Sequence, residues 1–412
     1  MRGGGRSPTV GLRSETVRRA NLAAIARELH LSGPLSRSEL VARTGLTRSA
    51  IRSLTGEFVA AGFVTEERSA PAGTPGRPSP LVRPNPDSAV VLGLEISVDS
   101  LAAGLVGFGG AVHESVRVER ARAHRVPDEI IPDLLELATP LLARTPSSGR
   151  LIGVGVGVVG IVRHSDGLVR LAPNLGWRDV PLGQLLANAL GVSVPVLVAN
   201  DADLGVLAEH RRGAATGVED AVFVSGEVGV GGGVLLEGHP MRGAEGYGGE
   251  VGHLPVHRDG RACGCGARGC WETEVGEPAL LAATGRSPDG GPAEVDRLLE
   301  AAAQGDPATL AGLGRVGDWL GIGLAAIVNT LNPRMVILGG LFARIHPYVA
   351  DAVAQRLDTS ALAASRELVR IVPAALPQPI LVGAAELAFE AFLSDPAAWL
   401  APRDGDVHLA TA

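Results

Sequence analysis

The chain contains no lysine; all 37 of its basic residues are arginine. No ammonium side chain can therefore reach a phosphate anywhere in it. Cysteine is almost as scarce. The three present lie between positions 263 and 270, a poor disulfide framework but a good metal-binding one. Aromatic residues make up 3%, so cores must be built from Ala, Val, Leu and Ile, while 56 Gly and 28 Pro imply many tight turns. The longest apolar run, Leu151–Val162, is rich in Gly and Val and far short of a bilayer span. Met1–Val10 is Gly- and Arg-rich and lacks the apolar centre of a signal peptide. These absences point to a cytoplasmic chain with no membrane partner.

With 412 residues, two or three folding units are expected. Apolar residues at 46% and charged residues at 20% allow most of the chain to bury a core. The net charge of −7 is unevenly spread. Residues 1–86 carry 13 Arg against six Glu, a balance of +7, which leaves −14 for the remainder. A basic head on an acidic body suits contact with a polyanion, although a solvated, mildly basic surface has the same composition.

Local signals organise the head. Val17, Leu22, Ile25 and Leu29 recur at helical period over Glu15–Leu31, and Gly33-Pro34 stops the helix. Ser36 and Glu39 form a capping box that opens a short second helix. Thr47 can cap a third, running to about Ala60, with Ile51, Leu54 and Phe58 facing inward. Arg48 with Arg52, and Ser49 with Ser53, then share its outer face, the spacing of a helix-turn-helix whose third helix reads DNA. Strands at Phe63–Glu67 and Leu81–Val82 flank a Pro/Gly/Arg segment. It reads either as a wing whose Arg77 enters a minor groove or as an ordinary linker. Pro84-Asn85-Pro86 marks the domain boundary.

From Val90 onward, three β-like runs followed by crossover helices and strands occur twice, as expected of an α/β body with two similar lobes and a cleft between them. After Asp395 the chain reads as a disordered tail (396–412). Within the second lobe His253, Cys263, Cys265 and Cys270 are spaced H-x9-C-x-C-x4-C with glycines interleaved, a donor set suited to a closed, structural tetrahedral zinc. His257 competes with His253 for the fourth position.

Glu250-x-Gly252-His253 followed by Cys263-Gly264-Cys265-Gly266-x-x-Gly269-Cys270-x-Glu272 resembles the signature of the ROK family (repressor, open reading frame, kinase). Pro173-Asn174-Leu175-Gly176-Trp177, Asn200-Asp201-Ala202 and Asn329-x-x-Asn332-Pro333 with Leu338-Gly339-Gly340 are similar to further family segments, over roughly 88–393. The head with Gly76-Arg77-Pro78 is similar to the regulator branch. The resemblance implies an actin-like, ribonuclease-H-type two-lobed body (87–395) behind a winged helix-turn-helix (1–86), assembled as a homodimer or homotetramer. It also implies that Asn174, Asn200, Asp201, Glu250, His253 and Glu272 bind sugar hydroxyls. Asp201 matches the general base of the family's kinases, and His253 would hold zinc with one nitrogen and sugar with the other.

The family's phosphate loops are altered. Asp-x-Gly-Gly-Thr-Lys is matched by Glu95-Ile96-Ser97-Val98-Asp99-Ser100, and Gly-Thr-Gly-x-Gly-Gly-Gly by Glu227-Val228-Gly229-Val230-Gly231-Gly232-Gly233. Carboxylates stand where phosphate charge would develop, so no ATP is expected and Asp201 becomes a vestigial base. The expected protein is a sugar-sensing, DNA-binding regulator. The alternatives are an active ATP-dependent sugar kinase carrying a DNA-binding head, and a zinc scaffold without DNA contact. Arg163, Arg170 or Arg178 would be the contacts if the sugar is phosphorylated.

Overall fold

A computed structural model describes residues 14–67, 79–122 and 124–400. The head comprises α1 (Ser14–Ser32), β1 (Leu35–Ser36), α2 (Arg37–Thr44), α3 (Arg48–Ala60), β2 (Val64–Glu67) and β3 (Leu81–Pro84). The capping box forms: Glu39 N–H donates to Ser36 Oγ at 3.2 Å, and Ser36 N–H to Glu39 Oε2 at 2.7 Å. Gly45, at φ +71°, ends α2 in the left-handed region, and Thr47 caps α3. The three strands pair in the order β1-β3-β2. The two-residue β1, which no sequence pattern marks, is the third strand of the sheet. Arg77 and the rest of the 68–78 segment lie outside the described residues.

The first lobe holds β4 (Ala89–Ile96), β5 (Ser100–Gly107), β6 (Ala111–Glu119), α4 (Pro127–Ala143), β7 (Arg150–Val158), β8 (Ile161–Arg163), β9 (Leu168–Ala172), β10 (Trp177–Val180), α5 (Leu182–Leu190), β11 (Val196–Asn200) and α6 (Asp201–Arg212). The second holds β12 (Ala221–Gly226), β13 (Val230–Leu236), β14 (His239–Pro240), α7 (Glu272–Val275), α8 (Glu277–Ala283), α9 (Gly291–Ala303), α10 (Pro307–Leu331), β15 (Met335–Gly339), α11 (Gly340–Ser360), α12 (Ala363–Arg366) and β16 (Arg370–Pro373). Then α13 (Pro379–Ser394) and α14 (Ala397–Leu400) return to the first lobe and the head.

The sheets β6-β5-β4-β7-β11 and β14-β13-β12-β15-β16 share one plan. In each, an antiparallel triplet is extended by two parallel strands on the side of its first strand. This duplicated five-stranded plan is the actin-like, ribonuclease-H-type fold.

Every residue of β4 is buried because both faces of its sheet are covered, by α4 and by α13. The α13 backbone lies directly on the sheet. A Cβ at Gly155 would come within 1.8 Å of Ala384 O, so only glycine permits this approach. The head is not loosely tethered, since Leu22, Ile25, Phe58 and Phe63 share one apolar core with Val91, Phe108, Phe389 and Phe392 of the body. The boundary at Pro86 therefore divides the chain but not the core.

Several expectations need correction. The tail does not begin at 396: Ala397–Leu400 is a helical turn, with Trp399 and Leu400 packed against the shared core. Helix α11 begins at Gly340 and carries Pro347 internally, because buried Leu341, Phe342 and Ile345 anchor the turns before it. The small sheet β10-β9-β8 was invisible, its strands being three to five residues long. Among the described residues one helix, α10, is long and apolar enough to cross a membrane; 61% of that stretch is buried in the protein.

Gly155→Ala is expected to destabilise the chain by roughly 1–3 kcal/mol through overpacking against α13. A fall in the thermal unfolding midpoint would register it, whereas an unchanged midpoint would mean that α13 can lift off the sheet without cost.

Candidate functional site

A short 3-10 turn (Val251–His253) and the loop after it bring His253, Cys263, Cys265 and Cys270 together, with all four donor atoms within 4.8 Å of one another. Cys263 Sγ is 3.6 Å from His253 Nδ1, and Cys265 Sγ is 3.7 Å from Cys270 Sγ. Tetrahedral zinc with ordinary bond lengths requires about 3.6 Å between sulfur and nitrogen and about 3.8 Å between two sulfurs, so the donor set fits such an ion. Glycines shape the loop: Gly269, at φ +70°, passes so close to His257 that a Cβ would meet its carbonyl at 1.7 Å. His257 is not part of this cluster. Its Nδ1 lies 3.3 Å from Glu274, and its ring stacks on Trp319 at 5.3 Å.

The loop is anchored by Trp271, which the motif reading passed over. Its fully buried indole donates to Trp319 O at 2.9 Å and lies against Gly323 of α10. An isolated tryptophan beside a metal motif leaves no periodic signal in sequence.

One cavity of about 140 Å³ lies between the lobes beside this loop. Asn174, Asn200, Asp201, Glu250, His253 and Glu272 all line it, brought from a 3-10 turn after β9, the junction of β11 and α6, the metal loop and the start of α7. His253 turns Nδ1 to the sulfurs and Nε2 toward Glu250, at 3.8 Å. Asn200 is largely committed to structure. Its Oδ1 accepts from Ala202 N–H and Asp203 N–H as the N-cap of α6, and its Nδ2 donates to Gly160 O at 2.9 Å, leaving one amide hydrogen for the cavity.

Burial, reinforced by Glu227, Glu95 and Glu250, raises the Asp201 carboxyl well above its ordinary range. Burial also raises Glu250, with Glu272 adding to the shift. On the other side of the first turn of α6, Asp203 is pushed up to about 7 by burial and Glu250.

Two hairpin turns face each other across the cleft. Ser97-Val98-Asp99 joins β4 to β5, and Glu227-Val228-Gly229 joins β12 to β13. Ser97 Oγ donates to Glu227 Oε2 at 3.0 Å, linking the lobes. Buried Glu95 is paired with Arg117 at 3.0 Å. Arg122 bridges Asp99 of one lobe, at 2.8 Å, and Glu277 of the other, at 2.5 Å. The protein's own carboxylates and arginines thus fill the mouth of the cleft. Burial and the neighbouring Glu95 and Asp99 push Glu227 up to about 7.

The three arginines assigned to a sugar phosphate are elsewhere. Arg163 and Arg170 pair with Asp166 and Asp179, and neither they nor Arg178 line the cavity. In the head, Arg48, Ser49, Arg52 and Ser53 are all exposed on one side of α3. Among the described residues neither Arg48 nor Arg52 has an ion-pair partner. Arg37, by contrast, is held by both oxygens of Glu66.

The ROK family profile matches residues 91–391. The xylose repressor of Bacillus subtilis is 29% identical over 363 residues, covering 88% of this chain and 92% of that protein. A solved ROK family transcriptional regulator, described as a homologue of the Escherichia coli Mlc protein, superposes with a TM-score of 0.75 at 23% identity, over 93% of this chain and 99% of its own. A ROK family glucokinase from Streptomyces griseus, solved with glucose and AMPPNP, gives 0.63 at 27% identity. It is matched over 98% of its own length but only 72% of this chain.

Two outcomes follow. Metal analysis is expected to find one tightly bound ion per chain, lost in Cys265→Ser and kept in His257→Asn; the reverse pattern would redraw the ligand set. For Glu227, a carboxyl raised from 4.5 to about 7 on folding opposes folding once ionised. That penalty is absent below pH 4.5, grows up to about 7 and is complete above it. Glu227→Gln should therefore raise the thermal midpoint relative to the unsubstituted chain at pH 8 but not at pH 4.5. An equal gain at both values would mean that charge is not the cause.

Proposed function

Because the chain belongs to the ROK family, we propose that it is a sugar-responsive transcriptional repressor whose kinase-like body binds a carbohydrate without phosphorylating it. The carrying observation is the cavity itself. Carboxylates and amides converge there from both lobes, beside an imidazole whose other nitrogen faces a metal-binding cluster. Such a ring of acceptors selects a polyol, because a ligand lacking hydroxyls would leave buried polar groups unpaired.

Zinc in the His253, Cys263, Cys265 and Cys270 set would have no open position, so it supplies structural cross-linking rather than Lewis-acid chemistry. His253 Nε2 is then presented to the sugar in a set orientation. Among the described residues no arginine lines the cavity, whereas Asp201, Glu227, Glu250 and Glu272 do. A neutral sugar is therefore favoured over its phosphate ester.

Phosphoryl transfer needs donors and cations around the phosphates, and this mouth offers Glu95, Asp99 and Glu227, with Arg117 and Arg122 already engaged by these acids and Glu277. Asp201, the family's general base, then serves as a hydroxyl acceptor. The head adds the DNA-binding half of the function, with Arg48, Ser49, Arg52, Ser53 and Arg77 as contacts. A homodimer or homotetramer would set two such heads on successive half-sites. Sugar shifts DNA binding only to the extent that it binds the DNA-competent and incompetent states differently.

A thermal-shift screen with D-xylose, D-glucose and glucose 6-phosphate tests the cavity. A sugar at 100 times its Kd should add about 2.7 kcal/mol of stability, and Asp201→Asn should abolish the shift. ATP consumption with these sugars, lost in Asp201→Asn, would instead establish a kinase. On DNA selected from a random pool, Arg52→Ala is expected to weaken binding by about 1–3 kcal/mol. Unchanged footprints would remove Arg52 from the reading face.

A further inference from the structure

Helix α6 starts in the cavity and ends in the seam that holds the head. Its first residue is Asp201 and its N-cap is Asn200, both lining the cavity. Over its 12 residues, a length of roughly 18 Å, it runs to Arg211 and Arg212.

These two arginines enter a buried polar cluster joining three elements. Glu386 of α13, 1% exposed, accepts from Arg211 at 3.1 Å and from Arg212 at 2.5 Å. His30, in the last turn of the head's α1, is fully buried and lies 3.2 Å from both Glu386 oxygens. Gly109 N–H donates to His30 Nδ1 at 3.1 Å, and Arg212 Nη2 lies 2.8 Å from His30 Nε2. Arg212 also donates to His30 O and Gly109 O, each at 3.2 Å. At the rim, Glu390 pairs with both Arg211 and the head's Arg27. Burial opposes ionisation of Glu386, but the His30 ring and the two guanidiniums hold its carboxyl well below the usual range.

The helix between these ends has little room to yield. Its buried flanks lie on glycines of two neighbours: a Cβ at Gly233 of β13 would meet Ala202 O at 2.0 Å, and one at Gly383 of α13 would meet Leu204 O at 2.1 Å; in turn its own Gly205 abuts the Phe223 ring of β12. At its far end the fully buried Glu209 accepts from Ala214 N–H at 2.6 Å and Leu376 N–H at 2.9 Å. Contacts without side-chain cushions transmit displacement rather than absorb it.

We propose that α6 is a rigid coupling rod between the cavity and the head, with Arg212 and Glu386 as positioning residues that convert occupancy beside Asn200 and Asp201 into a change in how α1 is held. The proposal rests on reading the cavity as a sugar site. Its partner is the chain's own head, and neither residue touches the sugar.

Hydrogen exchange on the full-length protein, with and without saturating D-xylose or D-glucose, tests it. In the unsubstituted chain, amides of Leu22–Ser32 should change exchange rate by about fivefold or more on sugar addition. Arg212→Gln should still bind the sugar by calorimetry, with the response in α1 lost. If that variant fails to fold, Arg27→Gln and Glu390→Gln, at the half-exposed rim, should each reduce the response while keeping sugar affinity. An α1 response that persists in the folded variants, or sugar binding to the unsubstituted chain without any α1 response, overturns the rod alone. A chain that neither sugar stabilises overturns the sugar reading and the rod with it.

Discussion

Helix α6 lies backbone-to-backbone against β13 on one side and α13 on the other, with glycine at each contact. Close packing of this kind leaves no side chain that could re-pack if either neighbour moved. The two sheets, the return of the C-terminal helix and the head docked on it are all referenced to this one element. The same approach places Asp201 at the floor of the cavity and Arg212 under the head, so position at one end is geometrically tied to position at the other.

The cleft combines two chemistries that diverge within a few residues. On its inner side, carboxylates, amides and an imidazole face a space of about 140 Å³. At the mouth, Ser97–Glu227 and Asp99–Arg122–Glu277 close polar contacts between lobes. Buried ion pairs contribute little net stability against apolar packing, but removing one partner strands a charge. Their consequence is therefore geometric: the lobes are held together by protein groups at the mouth of the cleft.

The metal loop and the head were the most legible parts because their signals are local. A capping box spans four residues, a ligand set 18, and each enforces its own geometry whatever surrounds it. The six cavity residues came from family resemblance; their types and order allowed no derivation of proximity. Arg163, Arg170 and Arg178, on β8, β9 and β10, do not line the cavity, because position along the chain does not say which face a short strand turns to the cleft. His30 follows Ala26 by four residues on the buried stripe of α1, and a histidine on an apolar face reads as core until its partners are known.

What the sequence by itself determined is therefore what short segments enforce: helices and their caps, a thiol-rich donor cluster, two runs of strands in one repeated order, and carboxylates in two turns. Only tertiary structure decided that His253 rather than His257 faces the sulfurs, that Asn200 is mostly spent capping a helix, and that head and body share a single core. It alone joined His30, Arg212 and Glu386, which are separated by more than 170 residues at each step. Long-range contacts of this kind depend on how glycine-lined surfaces meet in space, and neither periodicity nor composition along one chain encodes that meeting.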